Sequence, residues 1–308
     1  MTHSSAPGKI ILFGEHAVVY GRPALAVPVT QVHADVDITD SPRSGIWINA
    51  PDVYLHAEVN TLPSDHPLAS VIHNFLFLSR ISPFPNLEIK ISSTIPVASG
   101  LGSGAAVTVA LTRALASHLD FSMTDEQVNA FAYEIEKLHH GTPSGIDNTV
   151  ITYARPVYFT KGQPIETFKV GIPFTIVIAD TGISAPTKES VGDVRKLWQA
   201  DRETWERVFD SVGVIVQKAR TSIERGKKKD LGIMMNRNHA LLQEMTVSSP
   251  ELDSLVAAAL EAGALGAKMS GGGRGGNMIA LATDENAEGI SNALKKAGAR
   301  NTIITQIS

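Results

Sequence analysis

The stretch PVASGLGSGAA, residues 96–106, narrows the possible folds more than any other part of the chain. Glycines alternate at Gly100, Gly102 and Gly104, and an Ala-rich helical pattern over 104–119 begins where they end. Such a helix has first-turn amides with no carbonyl of their own to bond, and its positive dipole end faces a pliable backbone. That combination is an anion site. The plainer reading is a tight strand-to-helix turn in which glycines only relieve crowding. Three alternating glycines exceed what such a turn requires. The run lacks the Lys-Ser or Lys-Thr ending of a Walker A loop, so a cation and a metal ligand must come from elsewhere in the chain.

Bulk properties remove several function classes. At 308 residues there is room for one large or two ordinary domains. With 27 Lys+Arg against 31 Asp+Glu the net charge is −4, which leaves no basic footprint for nucleic acid. The one basic run, Lys227-Lys228-Lys229, reads as a solvated helix end. The absence of cysteine excludes disulfides, Cys-ligated zinc, iron–sulfur clusters and thiol catalysis. No apolar run reaches 18 residues, and MTHSSAPGK lacks the charged-then-apolar layout of a signal peptide. The expectation is a cytoplasmic protein with no membrane partner.

Periodicity then orders the elements. Residues 9–13 and 24–29 read as strands joined through Gly21-Arg22-Pro23, and the alternating runs 33–39 and 87–93 as half-buried antiparallel strands. A short helix is expected at 67–79. Thr124 and Gln127 form a capping box opening a helix that Gly141 closes. On it Val128, Phe131, Ala132, Ile135 and Leu138 share one face. Glu136 borders that face and Glu134 points away from it. Strand-like 156–160 and a turn at 161–164 precede a buried-type strand at 174–179. Helical stretches follow at 188–226, 229–243 and 250–263, then two strands around SGGGRGGN, a helix near 285–297 and a last strand at 302–307. The class is α+β, with two abutting domains, 1–168 and 169–308.

Other motifs carry less by themselves. Gly271–Gly276 formally matches G-x-G-x-x-G, but a strand follows it rather than a helix, so a hairpin loop for close backbone approach fits better than a dinucleotide site. In GTPSGIDN (141–148), Asp147 alone reads as a turn or capping residue. His139 and His140 point about 100° apart on a helix and do not share an ion readily. His16 alone reads as a loop histidine.

Together these pieces resemble the GHMP kinases, a family of small-molecule kinases. The signatures SAPGKIILFGEHAVVYG (5–21), PVASGLGSGAA and AKMSGGGRGGNMIAL (267–281) stand in the family's order and spacing over nearly the whole chain. GEHAVVYG together with EKLHHGTPSGIDN is most similar to the mevalonate-phosphorylating members. The resemblance implies the GHMP kinase fold, with an N-terminal S5-like domain containing a left-handed β-α-β unit and a C-terminal ferredoxin-like domain. It implies ATP-dependent phosphorylation of mevalonate to 5-phosphomevalonate, with Mg²⁺ as cofactor and a homodimer as a possible assembly. By motif, Pro96, Val97, Ala98, Ser99, Gly100, Leu101, Gly102, Ser103, Gly104 and Ala105 would bind ATP. Asp147 would accept the proton of the acceptor hydroxyl, with Lys9 beside it and the transferring phosphoryl group. Glu15, His16, Ser144 and Gly272 would bind the acceptor, and Glu136 and Ser103 would hold Mg²⁺.

Three positions depart from the family pattern. Gly104 replaces a serine that usually meets Mg²⁺, Arg274 stands where small residues are usual, and Ala154-Arg155 replaces paired glycines. Arg274 either faces solvent or meets a phosphate or the substrate's carboxylate. Two readings stand beside the leading one: a related kinase acting on phosphomevalonate, a sugar or another hydroxy acid, and a catalytically silent sensor of the same fold.

Overall fold

The chain opens with β1 (Thr2–Phe13), a 3-10 turn (Ala17–Tyr20) and β2 (Ala24–Asp40). Next come β3 (Ile46–Ala50), β4 (Leu55–Glu58), α1 (Pro67–Ser79), β5 (Leu87–Ser93), α2 (Ser103–His118), α3 (Asp125–His140) and α4 (Ile146–Tyr153). The remainder is β6 (Val157–Phe159), β7 (Glu166–Thr167), β8 (Phe174–Asp180), α5 (Thr187–Ala200), α6 (Arg202–Glu224), α7 (Lys228–Glu244), α8 (Pro250–Glu261), β9 (Gly266–Ser270), β10 (Asn277–Ala282), α9 (Ala287–Lys296) and β11 (Asn301–Ile307). This computed structural model describes all residues except 97, 98, 141, 142, 165, 185 and 186 and the side chains of 139 and 140. Contacts divide the chain into two units, one of Met1–Lys9, Val32–Val97 and Leu101–Ala154, the other of Ile10–Gln31, Ala98–Gly100 and Arg155–Ser308.

In the first unit, alternation builds the sheet. Ala34, Val36 and Ile38 of β2 are fully buried, while Asp35 and Asp37 between them are not. They pair with β5 in antiparallel register, Val36 opposite Ile91 and Ile38 opposite Ile89. β5 runs parallel to β3, and β3 antiparallel to β4. The Ala-rich α2 packs against α1, α3 and α4. Its small side chains, Ala106, Ala110 and Ala114, are wholly buried and allow close helix approach.

In the second unit, β8 over Ile176–Ala179 and β10 over Met278–Leu281 are continuously apolar and buried where they pair, as strands covered on both faces must be. The antiparallel order β11-β8-β10-β9 places the first strand beside the third and fourth, the ferredoxin-like arrangement. The first part of β2, Ala24–Ala26, pairs with β6, and β6 with β7.

Several expectations change. The strands read at 24–29 and 33–39 are two ends of one strand, because the fixed φ of Pro28 suits extended chain and does not interrupt it. The expected helix 188–226 is two helices: Asp201 caps α6 by accepting the Thr204 amide at 3.1 Å. The capping box of α3 forms in both directions, with Thr124 N–H donating to Gln127 at 2.8 Å and Gln127 N–H to Thr124 at 3.3 Å. On its apolar face Val128, Ala132 and Ile135 are buried and Phe131 is half-buried, but Leu138 is 64% exposed. The closing glycine expected at Gly141 lies outside the described residues. The segment containing Asp147 is a helix, α4, rather than a bare turn. Ile146, Val150 and Ile151 are fully buried there, and packing overrides the weak helix propensity of β-branched residues. Among the described residues no helix is long and apolar enough to cross a membrane.

Candidate active site

In the first unit, three segments far apart in sequence converge on Gly102. The Lys9 amide on β1 donates to the Leu101 carbonyl at 2.9 Å. The buried Lys9 side chain then runs beneath the glycine loop, and its Nζ lies 3.1 Å from Asp147 Oδ1. Gly102 caps α2 with φ +77°. A Cβ there would fall 2.8 Å from Ile151 Cδ1 and 3.0 Å from Lys9 Cγ. Only glycine fits both the backbone and the space. The first amide bonded back into α2 is Ala106 N–H to Gly102 O at 2.9 Å. The amides of Ser103, Gly104 and Ala105 therefore have no carbonyl of their own helix to bond.

Asp147 sits in the first turn of α4, so its carboxylate lies where a helix N-terminus meets an ammonium. Its side chain is 33% exposed, enough to meet a ligand. Half-buried Glu136 is pushed up to about 8, first by burial and then by the charge of Asp147, with Lys9 opposing. With Lys9 already paired to Asp147, Glu136 lacks a positive charge to favour its carboxylate form, and a divalent cation fits that deficit. Glu134, on the other face, is exposed and pairs with Lys137 at 2.8 Å. Ser103 is half-buried on the first turn of α2. Gly104 is exposed, and a Cβ there would have nothing within 4 Å, so a hydroxyl is missing by sequence and not excluded by space. The Ser144 hydroxyl accepts the Ile146 amide at 3.3 Å.

In the second unit, Glu15 is buried and ion-paired with fully buried Lys268 of β9. His16 Nε2 donates to the Gly272 carbonyl at 3.0 Å. Burial lowers its pKa to about 4. The Gly272 hydrogen bond opposes that and the positive charge of Arg274 adds to it, so the ring is neutral at pH 7. The glycine run after β9 is pressed against its neighbours: a Cβ at Gly273, φ +79°, would fall 1.9 Å from the Val247 carbonyl. Arg274 takes neither expected course, since its Nη1 lies 2.6 Å from Asp193 of α5. Ser99 is buried, and its carbonyl accepts a hydrogen bond from Asn277 Nδ2 at the start of β10. Gly100 follows with φ +78°.

Of the predicted loop residues, Pro96 is half-buried and Leu101 and Ala105 are buried. Val97 and Ala98 lie outside the described residues, as do the side chains of His139 and His140. Lys268 and Asn277 escaped the sequence reading. Each had a signal: Lys268 is the only charge in the buried strand GAKMS, and Asn277 is the polar residue opening an apolar strand directly after the glycine run.

The chain matches the GHMP kinases N terminal domain over residues 69–155 and the GHMP kinases C terminal domain over 219–300. It is 37% identical to a mevalonate kinase of Thermococcus sibiricus, covering 99% of this chain and 96% of that protein. It is also 37% identical to one of Pyrococcus abyssi, over 99% and 95%. Among solved structures, the L. major mevalonate kinase in complex with R-mevalonate superimposes with a TM-score of 0.87 at 30% identity, over 100% of this chain and 96% of that one.

Proposed function

The chain belongs to the GHMP kinases, and on that footing we propose that it transfers the terminal phosphoryl group of ATP to mevalonate, giving 5-phosphomevalonate and ADP. The observation carrying this reading is the Lys9–Asp147 pair, 3.1 Å apart beside the open N-terminus of α2. Phosphoryl transfer needs positioning and neutralisation of charge spread over the transferring oxygens. The amides of Ser103, Gly104 and Ala105 are suited to hold phosphate oxygens. Asp147 takes the proton of the attacking hydroxyl as the oxygen–phosphorus bond forms and the bond to ADP breaks. Lys9 orients Asp147 and offsets the negative charge that gathers beside it. Glu136 and Ser103 would hold Mg²⁺, which supplies further neutralisation of the phosphates when bound. The acceptor contacts carried by motif are Glu15, His16, Ser144 and Gly272.

An assay of ADP release over a panel of mevalonate, phosphomevalonate, galactose and homoserine tests the acceptor. Turnover with mevalonate alone is expected, and turnover confined to another acceptor overturns that choice. Binding of ATP and mevalonate with no turnover would instead establish a sensor. Asp147→Asn should abolish turnover while retaining ATP affinity, and an unchanged kcat would remove Asp147 as the base. Lys9→Met should likewise lower kcat, and an effect on KM alone would refute its place at the phosphoryl group.

A further inference from the structure

From Lys268 in the middle of β9 to Gly272, two residues past its end, every second residue reaches back to the segment 11–16. Lys268 Nζ donates to Glu15 Oε1 and to the Met269 carbonyl, the latter at 2.6 Å. Ser270 Oγ donates to the Ile11 carbonyl at 2.8 Å. The Gly272 carbonyl accepts from His16 Nε2 at 3.0 Å. Residues 268, 270 and 272 thus form a row of polar holds. The segment they hold is a demanding one, since His16 is a non-glycine residue at φ +60°.

The Lys268 side chain is wholly buried, as is that of Glu15. Taking two charges out of water is costly, and an apolar pair would fill the same volume at no such cost. Burial pulls the Lys268 pKa below the usual lysine range, and Glu15 opposes that pull. What an ion pair adds over an apolar one is direction, because it fixes the carboxylate of Glu15 and with it the backbone that aims His16. With Nε2–H given to Gly272, the other ring nitrogen, Nδ1, is buried and has no hydrogen-bond partner among the described residues. It is a lone pair ready to receive a donor.

We propose that Lys268 is a positioning residue for the acceptor: through Glu15 it holds the imidazole of His16 in one orientation and one tautomer. This rests on the reading of His16 as an acceptor contact. Lys268 itself touches no substrate.

The test is steady-state kinetics of Lys268→Met, a near-isosteric uncharged side chain, with ¹⁵N NMR of the histidine rings in the same protein. The expected result is a KM for mevalonate raised about tenfold or more, with the KM for ATP within about twofold. The His16 ring should also lose its single Nε2–H signature. A folded Lys268→Met protein with wild-type KM for mevalonate and an unchanged His16 signature overturns the proposal, leaving the pair a structural role only. If the Glu15 carboxylate, with Lys268 removed, prevents folding, Glu15→Gln/Lys268→Met removes that charge. It should keep the raised KM, and wild-type KM in the double variant overturns the proposal equally. The two readings fail separately. A wild-type enzyme turning over only another acceptor refutes the mevalonate assignment, and the same comparison then runs with that acceptor. Without any turnover, the NMR signature still decides whether Lys268 holds His16.

Discussion

Replacing Gly102 by alanine strikes the point where β1, the glycine loop and α4 meet. Two costs add. Holding an L-residue at φ +77° costs about 1–2 kcal/mol. The new Cβ would lie 2.8 Å from Ile151 Cδ1 and 3.0 Å from Lys9 Cγ, both in buried side chains. Overpacking of this kind costs about 1–3 kcal/mol. The sum, roughly 2–5 kcal/mol, corresponds to a Tm lowered by roughly 3–8 °C in a chain of 308 residues. Relief requires Lys9 to move, and a misplacement of about 1 Å at a reacting group can cost ~100-fold in rate. Differential scanning calorimetry and kcat should therefore fall together in Gly102→Ala. Gly104→Ala is the matched stability control, since its backbone is ordinary and a Cβ there meets nothing within 4 Å. Its Tm should stay level or rise slightly. A Gly102→Ala protein with unchanged Tm and kcat would refute the convergence of Lys9 and Ile151 on this glycine.

Three further outcomes follow from the same geometry. His16 is neutral in the fold and its pKa is lowered from 6.5 to about 4. The stability this contributes, roughly 3 kcal/mol at most, is present above pH 6.5 and lost as pH falls through 4, where the unfolded chain binds the proton first. Urea denaturation between pH 7 and 4 should show that slope, and His16→Asn should flatten it. Gly104→Ser should lower the Mg²⁺ concentration needed for half-maximal activity by about tenfold, because the site has space for the hydroxyl it lacks; a Mg²⁺ titration identical to wild type would remove position 104 from the metal shell. Breaking the buried pair with Lys268→Met should cost about 3–5 kcal/mol in urea denaturation. The double variant Glu15→Gln/Lys268→Met should recover most of it, since no unpaired charge remains.

Much of the framework was readable from the chain alone. Residue alternation in β2 and β5, the Thr124–Gln127 capping box and the glycines opening α2 are local signals, each written within a few residues. The ordered signatures also pointed to the residues of the candidate site, because the glycine loop and the Asp147 segment are recognisable as strings. Tertiary structure decided what depends on partners distant in sequence. Asp147 reads as a turn residue until α4 is packed in place by Ile146, Val150 and Ile151, and only then does it face Lys9, 138 positions earlier in the chain. Lys268 reads as an interruption in an apolar strand until Glu15 is found against it. Arg274 had two open courses until Asp193 supplied a third. A strand or cap is set by the backbone preferences of neighbouring residues. The charge state and aim of a side chain are set by what burial removes and by which opposite charge the fold brings within reach, and those partners carry no mark of one another in the sequence.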